Sequence, residues 1–254
     1  MMKDSTINFF SDVTKRKQTE KLDLIQNSNY ISVIEAISRL THKSIYVIDN
    51  DIHKFEYVFD NHLNLYGLNT DEIKEKGYDA YLENVVAEDL ELLLKIKKIV
   101  FDFFDKIDVR ERRLYTISYD FRIKNGKDAY YLLNHKLTPL FINNKGEIGK
   151  FLCLVSLSPR QKSGNIIFRK KGENIFSQYD IECRQWRSSQ IISITQCEQE
   201  VLTLSAQGYS IKQIARKLFV SENTIKFHRQ NLFKKFQVNN ITEVISRAAD
   251  DQLI

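Results

Sequence analysis

The sequence predicts a mixed α+β fold. The N-terminal part is expected to hold a five-stranded antiparallel sheet with several helices, and the C-terminal part four helices without strands. Apolar residues alternate in segments bounded by turn residues in the first part, whereas the last quarter carries four helix start signals in close succession. A chain of 254 residues with 43% hydrophobic and 28% charged residues is long enough for two domains, each with its own core.

The N-terminal part begins with a helical segment, residues 1–40, whose apolar periodicity is clearest from Ile31 to Leu40. Helices are also predicted from Thr70 onward and over Ala87–Phe104. Polar turns, including Asn125-Gly126, separate the strands that follow. The five predicted strands are Ser44–Asp49, Phe55–Phe59, Leu114–Lys124, Tyr130–Phe141 and Lys150–Leu157.

Two strands, several short helices and then three antiparallel strands resemble a PAS domain, over residues 41–158. The run LTPLFINNKGEIGKFLCLVSLS, which starts at Leu137, is similar to the last two PAS strands. The resemblance implies a sensory or dimerising domain, and it leaves open whether a cavity holds a small-molecule effector or the domain serves dimerisation. The ligand-binding residues are unknown from the sequence.

The sequence favours no cofactor and no metal. A photoactive flavin domain of this class needs a cysteine on its middle helices, and residues 60–110 contain none; haem-binding PAS domains present a histidine from the long helix, and residues 87–104 contain none. The histidines at 42, 53, 62 and 135 are scattered, which favours surface or hydrogen-bonded roles. Six aromatic residues are candidates for lining a cavity or for ordinary core packing: Tyr46, Tyr57, Phe59, Tyr119, Phe121 and Tyr131.

The predicted connector, residues 159–190, is structured. Ile166–Lys170 and Ile175–Ile181 flank the sequence KGEN and predict a β-hairpin. Trp186 follows the hairpin, and two alternatives are open for it: it anchors the two domains together, or it packs on its own sheet.

The C-terminal domain, residues 191–254, contains residues that typically mark the start or the end of a helix. Capping boxes are predicted at Thr195 with Glu198, and at Ser210 with Gln213. Ser221 is expected to start the third helix, and Asn240 with Glu243 the fourth. Gly208 is expected to end the first helix. Because only Phe219 and Val220 separate the second helix from Ser221, these two helices are predicted to form a helix-turn-helix.

The third helix, roughly Glu222–Gln237, has two distinct faces at about 100° per residue. Ile225, Leu232 and Phe236 are predicted to face the core, and a polar, basic side lies opposite. From Gly208 to Asn240 there are seven Lys and Arg residues against one acid, Glu222. This local excess is much sharper than the net charge of +5 on the whole chain.

The segments TQCEQEVLTLSAQGYS, IKQIARKL and SENTIKFH closely resemble the DNA-binding domain of LuxR-type (GerE-like) bacterial transcription regulators. The resemblance implies that the third helix enters the major groove and that the fourth supplies a dimer contact. The implied base-contacting residues are Asn223, Lys226, Phe227 and Gln230. The implied backbone contacts are Lys212, Thr224, Asn231, Lys234, Lys235 and Asn239. Cys197, Phe227 and Gln230 depart from residues common in the family.

The sequence therefore predicts a transcription regulator that binds double-stranded DNA as a homodimer and is controlled by its PAS-like domain. The alternative is a protein-interaction adaptor whose helical domain does not bind operator DNA. An enzyme is disfavoured because phosphate-binding, nucleophile-elbow, dinucleotide and kinase motifs are not found. Met1–Phe10 does not resemble a signal peptide, and no run reaches about 18 apolar residues, so we expect a cytoplasmic protein without membrane contact.

Overall fold

The computed structural model describes residues 23–52, 54–59, 70–124, 129–251 and 253–254. These residues form two compact units. The sheet unit comprises the described residues up to Ser158 together with Lys162–Arg187, and the helical unit comprises Ser188–Ile254 with Pro159–Gln161. Residues 1–22 and the predicted Asn125-Gly126 turn lie outside the described part of the chain. Among the described residues, none of the helices has the length and apolar character needed to cross a membrane.

The five predicted strands and the predicted helix over Ala87–Phe104 are confirmed to within about two residues at each boundary. Its helices are α1 (Asp23–Ser38), α2 (Thr70–Lys76), α3 (Tyr78–Asn84) and α4 (Ala87–Asp105). The strands are β1 (Ser44–Asp49), β2 (Lys54–Phe59), β3 (Tyr115–Lys124), β4 (Tyr130–Ile142), β5 (Ile148–Leu157), β6 (Gly164–Lys170), β7 (Ile175–Asp180) and β8 (Gln185–Gln190).

The sheet has eight strands in the order β2-β1-β5-β4-β3-β6-β7-β8. The first five strands follow the predicted chain order of two strands, then helices, then three antiparallel strands. The predicted strand count of five is wrong, because the sheet has eight. β6 pairs antiparallel with β3, with Ile117 opposite Phe168, so the predicted hairpin continues the main sheet. Long-range burial explains this, because Ile166 and Phe168 of β6 belong to the same core cluster as Ile117 of β3.

Helix α4 covers one face of the sheet. Its buried side chains recur at helical spacing along one stripe, at Leu93, Ile96, Val100 and Phe104. Helix α1 contributes Ile34 to a second cluster that includes Ile45 and Val47 of β1. The N-terminal segment predicted over Ile31–Leu40 therefore packs on the sheet in part, while Val33, Ile37 and Leu40 are exposed.

A buried polar network joins α4 to the strands. The Asp89 carboxylate accepts a hydrogen bond of 2.6 Å from the backbone N–H of Arg122 and one of 2.7 Å from its guanidinium Nη2. Ser163, just before β6, donates a third at 2.6 Å. Burial works against ionisation of Asp89, but these hydrogen bonds prevail and hold its pKa below the ordinary value. Asp89 thus ties α4, β3 and the start of β6 together.

Trp186 packs on its own sheet, which favours the second of the two alternatives. Its ring lies 5.3 Å from Phe103 of α4, 5.1 Å from Phe168 and 5.0 Å from Tyr179, measured between ring centroids. The indole remains 40% exposed. Since the chain contains a single tryptophan, its fluorescence reports on the sheet unit.

The four helices of the helical unit are α5 (Gln196–Ala206), α6 (Ile211–Lys217), α7 (Glu222–Phe236) and α8 (Ile241–Asp250). Every predicted start signal is confirmed. Thr195 and Ser210 form complete capping boxes, and the side chains of Ser221 and Asn240 accept hydrogen bonds of 3.1 Å and 2.9 Å from backbone N–H groups in the first turns of α7 and α8. Gly208 has a φ of 86°, as the end of α5 requires.

Candidate nucleic-acid interface

The turn between α6 and α7 determines where α7 begins. Phe219 adopts a φ of 55°, a conformation uncommon for a bulky residue, and its side chain is 95% exposed. The N–H of Val220 closes the turn on the carbonyl of Ala215 at 3.0 Å. Ser221 then starts α7 directly. The predicted helix-turn-helix is therefore present, with a two-residue turn held by backbone hydrogen bonds.

Helix α7 turns one face inward and leaves the other free. The predicted core residues Ile225, Leu232 and Phe236 are buried among the apolar side chains of the helical unit. The opposite face is exposed to solvent, and even its aromatic residue, Phe227, is 58% exposed. The structure places all four predicted base-contacting residues on this face: Asn223, Lys226, Phe227 and Gln230.

The residues predicted to contact the DNA backbone differ in their exposure to solvent. Lys212, Lys234 and Asn239 are exposed, while Thr224 and Asn231 are half-buried. The Thr224 hydroxyl lies 2.9 Å from that of Ser221, inside the cap of α7. Its hydrogen-bonding capacity is therefore already used in part by the start of the helix.

Lys235 has an internal partner. Its Nζ lies 2.6 Å from Glu198 Oε2 and donates a hydrogen bond of 2.9 Å to the carbonyl of Ser193. The Glu198 side chain is only 4% exposed and also accepts from the N–H of Thr195. Burial works against ionisation of Glu198, but the hydrogen bonds from Lys235 and Thr195 hold its pKa below the ordinary value. Lys235 thus fastens α7 to the start of α5.

Two arginines also act inside the helical unit. Arg229 donates to the Ser205 hydroxyl at 2.9 Å, and burial lowers its pKa. Arg247 of α8 donates to the carbonyl of Phe236 at 2.6 Å, where it caps the last turn of α7. Both arginines hold α7 against its neighbours rather than face solvent.

Six of the seven basic residues counted between Gly208 and Asn240 are exposed, and Arg229 is half-buried. The six are Lys212, Arg216, Lys217, Lys226, Lys234 and Lys235. Arg216 is not among the residues for which the sequence predicts a role. In the structure Arg216 and Lys212 line one surface recess with Phe219 and Glu222. Their spacing of four residues on a helix places them on one face, a signal that was available in the sequence.

The sheet unit contains a cavity of about 70 Å³ between α4 and the sheet. Of the six candidate aromatics, Tyr46 and Tyr119 line it. Phe121 belongs to the core, Tyr57 and Phe59 pack in the cluster beneath α1, and Tyr131 is 39% exposed. Tyr46 is itself a buried core residue, so core packing accounts for most of the set.

His135 is a buried polar residue of the cavity wall. His135 Nδ1 lies 3.3 Å from the Tyr119 hydroxyl and 3.4 Å from Cys153 Sγ. Burial lowers the pKa of His135 to about 3, and it raises the pKa of the Cys153 thiol. Imidazole and thiol are therefore both neutral near pH 7. Asn50 and Lys97 also line the cavity.

Comparison with known proteins gives the class of the helical unit. Residues 193–248 match the family model of bacterial regulatory proteins, luxR family. The C-terminal unit is a LuxR-type helix-turn-helix domain, as the sequence motifs predict.

The individual relatives match the same part of the chain. The probable csgAB operon transcriptional regulatory protein of Salmonella typhimurium is 43% identical over 67 residues, which is 26% of this chain and 31% of that protein. The monoamine regulon transcriptional regulator of Klebsiella aerogenes is 38% identical over 66 residues, 26% of this chain and 29% of that protein. The chain thus spans less than a third of the length of these relatives. Among solved structures, the phage VqmA–DPO complex aligns over 89% of this chain and 90% of that chain, with 16% identity and a TM-score of 0.36.

Proposed function

We propose that the protein is a transcription regulator that binds specific sites on double-stranded DNA and is controlled by its PAS-like sheet unit. The observation that carries the proposal is the exposed face of α7. It combines an ammonium group, two amides and an aromatic ring on one side of a helix whose other side is anchored in a core. A helix with such a face fits the major groove, where side chains contact base edges.

Base contact is tested at Lys226. Its ammonium group projects from the exposed face of α7 and can reach guanine O6 and N7, a contact worth roughly 1–3 kcal/mol of discrimination. Lys226→Ala is expected to weaken binding to the true site by about 10- to 100-fold and to random DNA far less. Competition binding assays on operator and random duplexes measure the difference.

The matched control is Lys212→Ala, which removes an exposed lysine from α6 instead. A lost phosphate contact weakens binding to both duplexes alike and lowers the salt slope by about one unit. Equal losses from both duplexes for Lys226→Ala would instead assign Lys226 to the backbone-contacting class. If the protein were an adaptor instead, the wild-type chain would show no salt-dependent, sequence-selective binding to DNA.

We further propose that two chains occupy each operator, because a single helix-turn-helix covers only a few base pairs. The apolar residues of α8 do not by themselves support the dimer contact that the family resemblance implies, since Val244 and Ala248 are buried and Ile245 packs on the same core. Sedimentation of the protein with its operator is expected to show two chains per site. One chain per site at saturation, with full specificity, would contradict this model.

The sheet unit is proposed to sense a small molecule in the cavity beside α4. The neutral His135 and Tyr119 offer hydrogen bonds there, while Leu93 and Phe151 supply apolar walls. Binding energy at such a site would act on α4, which the Asp89 network ties to β3 and β6. In this proposal the protein regulates by binding, in the cytoplasm, and catalyses no reaction.

A further inference from the structure

Phe227 is the apolar member of the four residues predicted to contact bases. Asn223, Lys226 and Gln230 offer amide and ammonium groups, whereas Phe227 offers a phenyl ring, and it is 58% exposed. Helix α7 packs into the core of the helical unit through its opposite side, so this ring is not part of that core. An exposed ring stabilises a complex when a ligand covers it, because burial removes apolar surface from water.

The helix and one neighbour determine where the ring lies. Residues three and four positions apart are neighbours on one side of an α-helix, so Phe227 lies between Asn223 in the preceding turn and Gln230 in the following one. Lys226 is about 100° away around the helix axis. On the other side of the ring lies the half-buried His228, with 5.7 Å between the ring centroids and an interplanar angle of 68°. This edge-to-face contact restricts the ring on the side away from Lys226.

The major groove offers such a ring one apolar group, the C5-methyl group of thymine. The other groups on the base edges there are hydrogen-bond donors and acceptors. Side-chain amides bind the N6 and N7 edge of adenine. Because Asn223 and Gln230 flank Phe227, an adenine bound by either amide brings the methyl group of a thymine, in the same or the next base pair, close to the ring.

We propose that Phe227 selects thymine at one position of each half-site by packing its ring on the C5-methyl group. This inference rests on the proposed function, since it requires α7 to lie in the major groove. Cytosine at that position is disfavoured for a second reason, because the ring would cover its N4 amino group without offering a hydrogen-bond acceptor. Phe227 departs from the residues common at this position in the family, so the family does not supply this preference.

Replacing thymine by deoxyuridine tests the contact, because the two bases differ only in the methyl group. The probe is the duplex that the full chain enriches from a random-sequence library, with each thymine of a half-site replaced in turn. We expect one position per half-site at which the replacement weakens binding by about fourfold, as for the loss of one buried methyl group. Phe227→Ala is expected to bind the original duplex more weakly and to show no further loss at that position.

Two further variants separate the ring from the rest of the face. Phe227→Leu keeps an apolar side chain and is expected to keep the preference for thymine over uracil. Lys226→Ala is expected to bind more weakly overall and still to lose about fourfold at the uracil position. Because Phe227 is exposed, Phe227→Ala is expected to unfold at the same temperature as the wild-type chain, which separates lost binding from lost folding.

Methylated cytosine provides a second measurement. At the position found with uracil, a G·C pair that replaces the A·T pair lacks the methyl group, and 5-methylcytosine adds it back. Methylation is expected to strengthen binding of the wild-type chain by about fourfold and to leave that of Phe227→Ala unchanged. Equal binding of cytosine and 5-methylcytosine by the wild-type chain would contradict the inference.

The outcomes separate this inference from the proposed function. A library from which the wild-type chain enriches no sequence would contradict the proposed function. An enriched half-site that contains no thymine, or whose thymines all tolerate uracil, would overturn the inference and leave the proposed function intact. The same holds for a uracil effect that persists in Phe227→Ala.

Discussion

Replacing Asp89 by alanine is expected to lower the free energy of unfolding of the sheet unit by about 3–5 kcal/mol, the usual cost of removing one partner from a buried ion pair. The Asp89 side chain is only 4% exposed, and that of Arg122 is 28% exposed. The substitution leaves the Arg122 guanidinium and the Ser163 hydroxyl without their carboxylate. Urea unfolding followed by Trp186 fluorescence measures the loss, because Trp186 packs on Phe103 of α4.

The adjacent Glu88 provides a matched control. Its side chain is 73% exposed and lies 3.5 Å from Arg122 Nη2, so Glu88→Ala is expected to change stability by less than about 0.5 kcal/mol.

The contribution of Asp89 to stability also depends on pH in a defined direction. Because folding lowers the pKa of Asp89, its contribution is present above the unfolded pKa and is lost as pH falls through the folded one. The difference between wild type and Asp89→Ala should therefore shrink in acid. Equal stability of the two chains at pH 7 would contradict the role given to this carboxylate.

Lys235→Ala is expected to destabilise the helical unit by about 2 kcal/mol, because it removes the charged donor that satisfies the buried Glu198 carboxylate. The same change should weaken binding to all DNA, since α7 would no longer be fastened to the start of α5. Thermal unfolding followed by helical circular dichroism measures the first effect. The fluorescence transition of Trp186, which belongs to the sheet unit, is expected to stay in place.

Lys234 is the matched control for this prediction. It is exposed, one residue away, on the same helix. Lys234→Ala is expected to leave the thermal transition unchanged and to lower the salt slope of DNA binding by about one unit. If Lys235→Ala behaved in the same way as Lys234→Ala, its ammonium group would be a phosphate contact, as the family resemblance implies, and the fastening role would be wrong.

The sequence determined the helical unit almost completely. Capping signals, turn residues and the period of apolar residues act over three to seven positions, so the start of every helix and the buried face of α7 could be predicted from local chemistry. The same holds for the boundaries of the first five strands, which alternate in burial and end at turn residues. The family motifs also lie in this local pattern, at residues 193–248.

Tertiary structure decided what each predicted residue contacts. Lys234 and Lys235 are neighbours of the same type, and only the position of Glu198, 37 residues away, separates an exposed lysine from one with an internal partner. The sequence predicted the β6–β7 hairpin but not its pairing with β3, because strand pairing is fixed by long-range burial rather than by local pattern. The neutral His135 likewise follows from the surroundings of its imidazole, which a scattered histidine in the sequence does not reveal. Local propensities set the elements of this protein, and desolvation and pairing between distant elements set the chemistry of its residues.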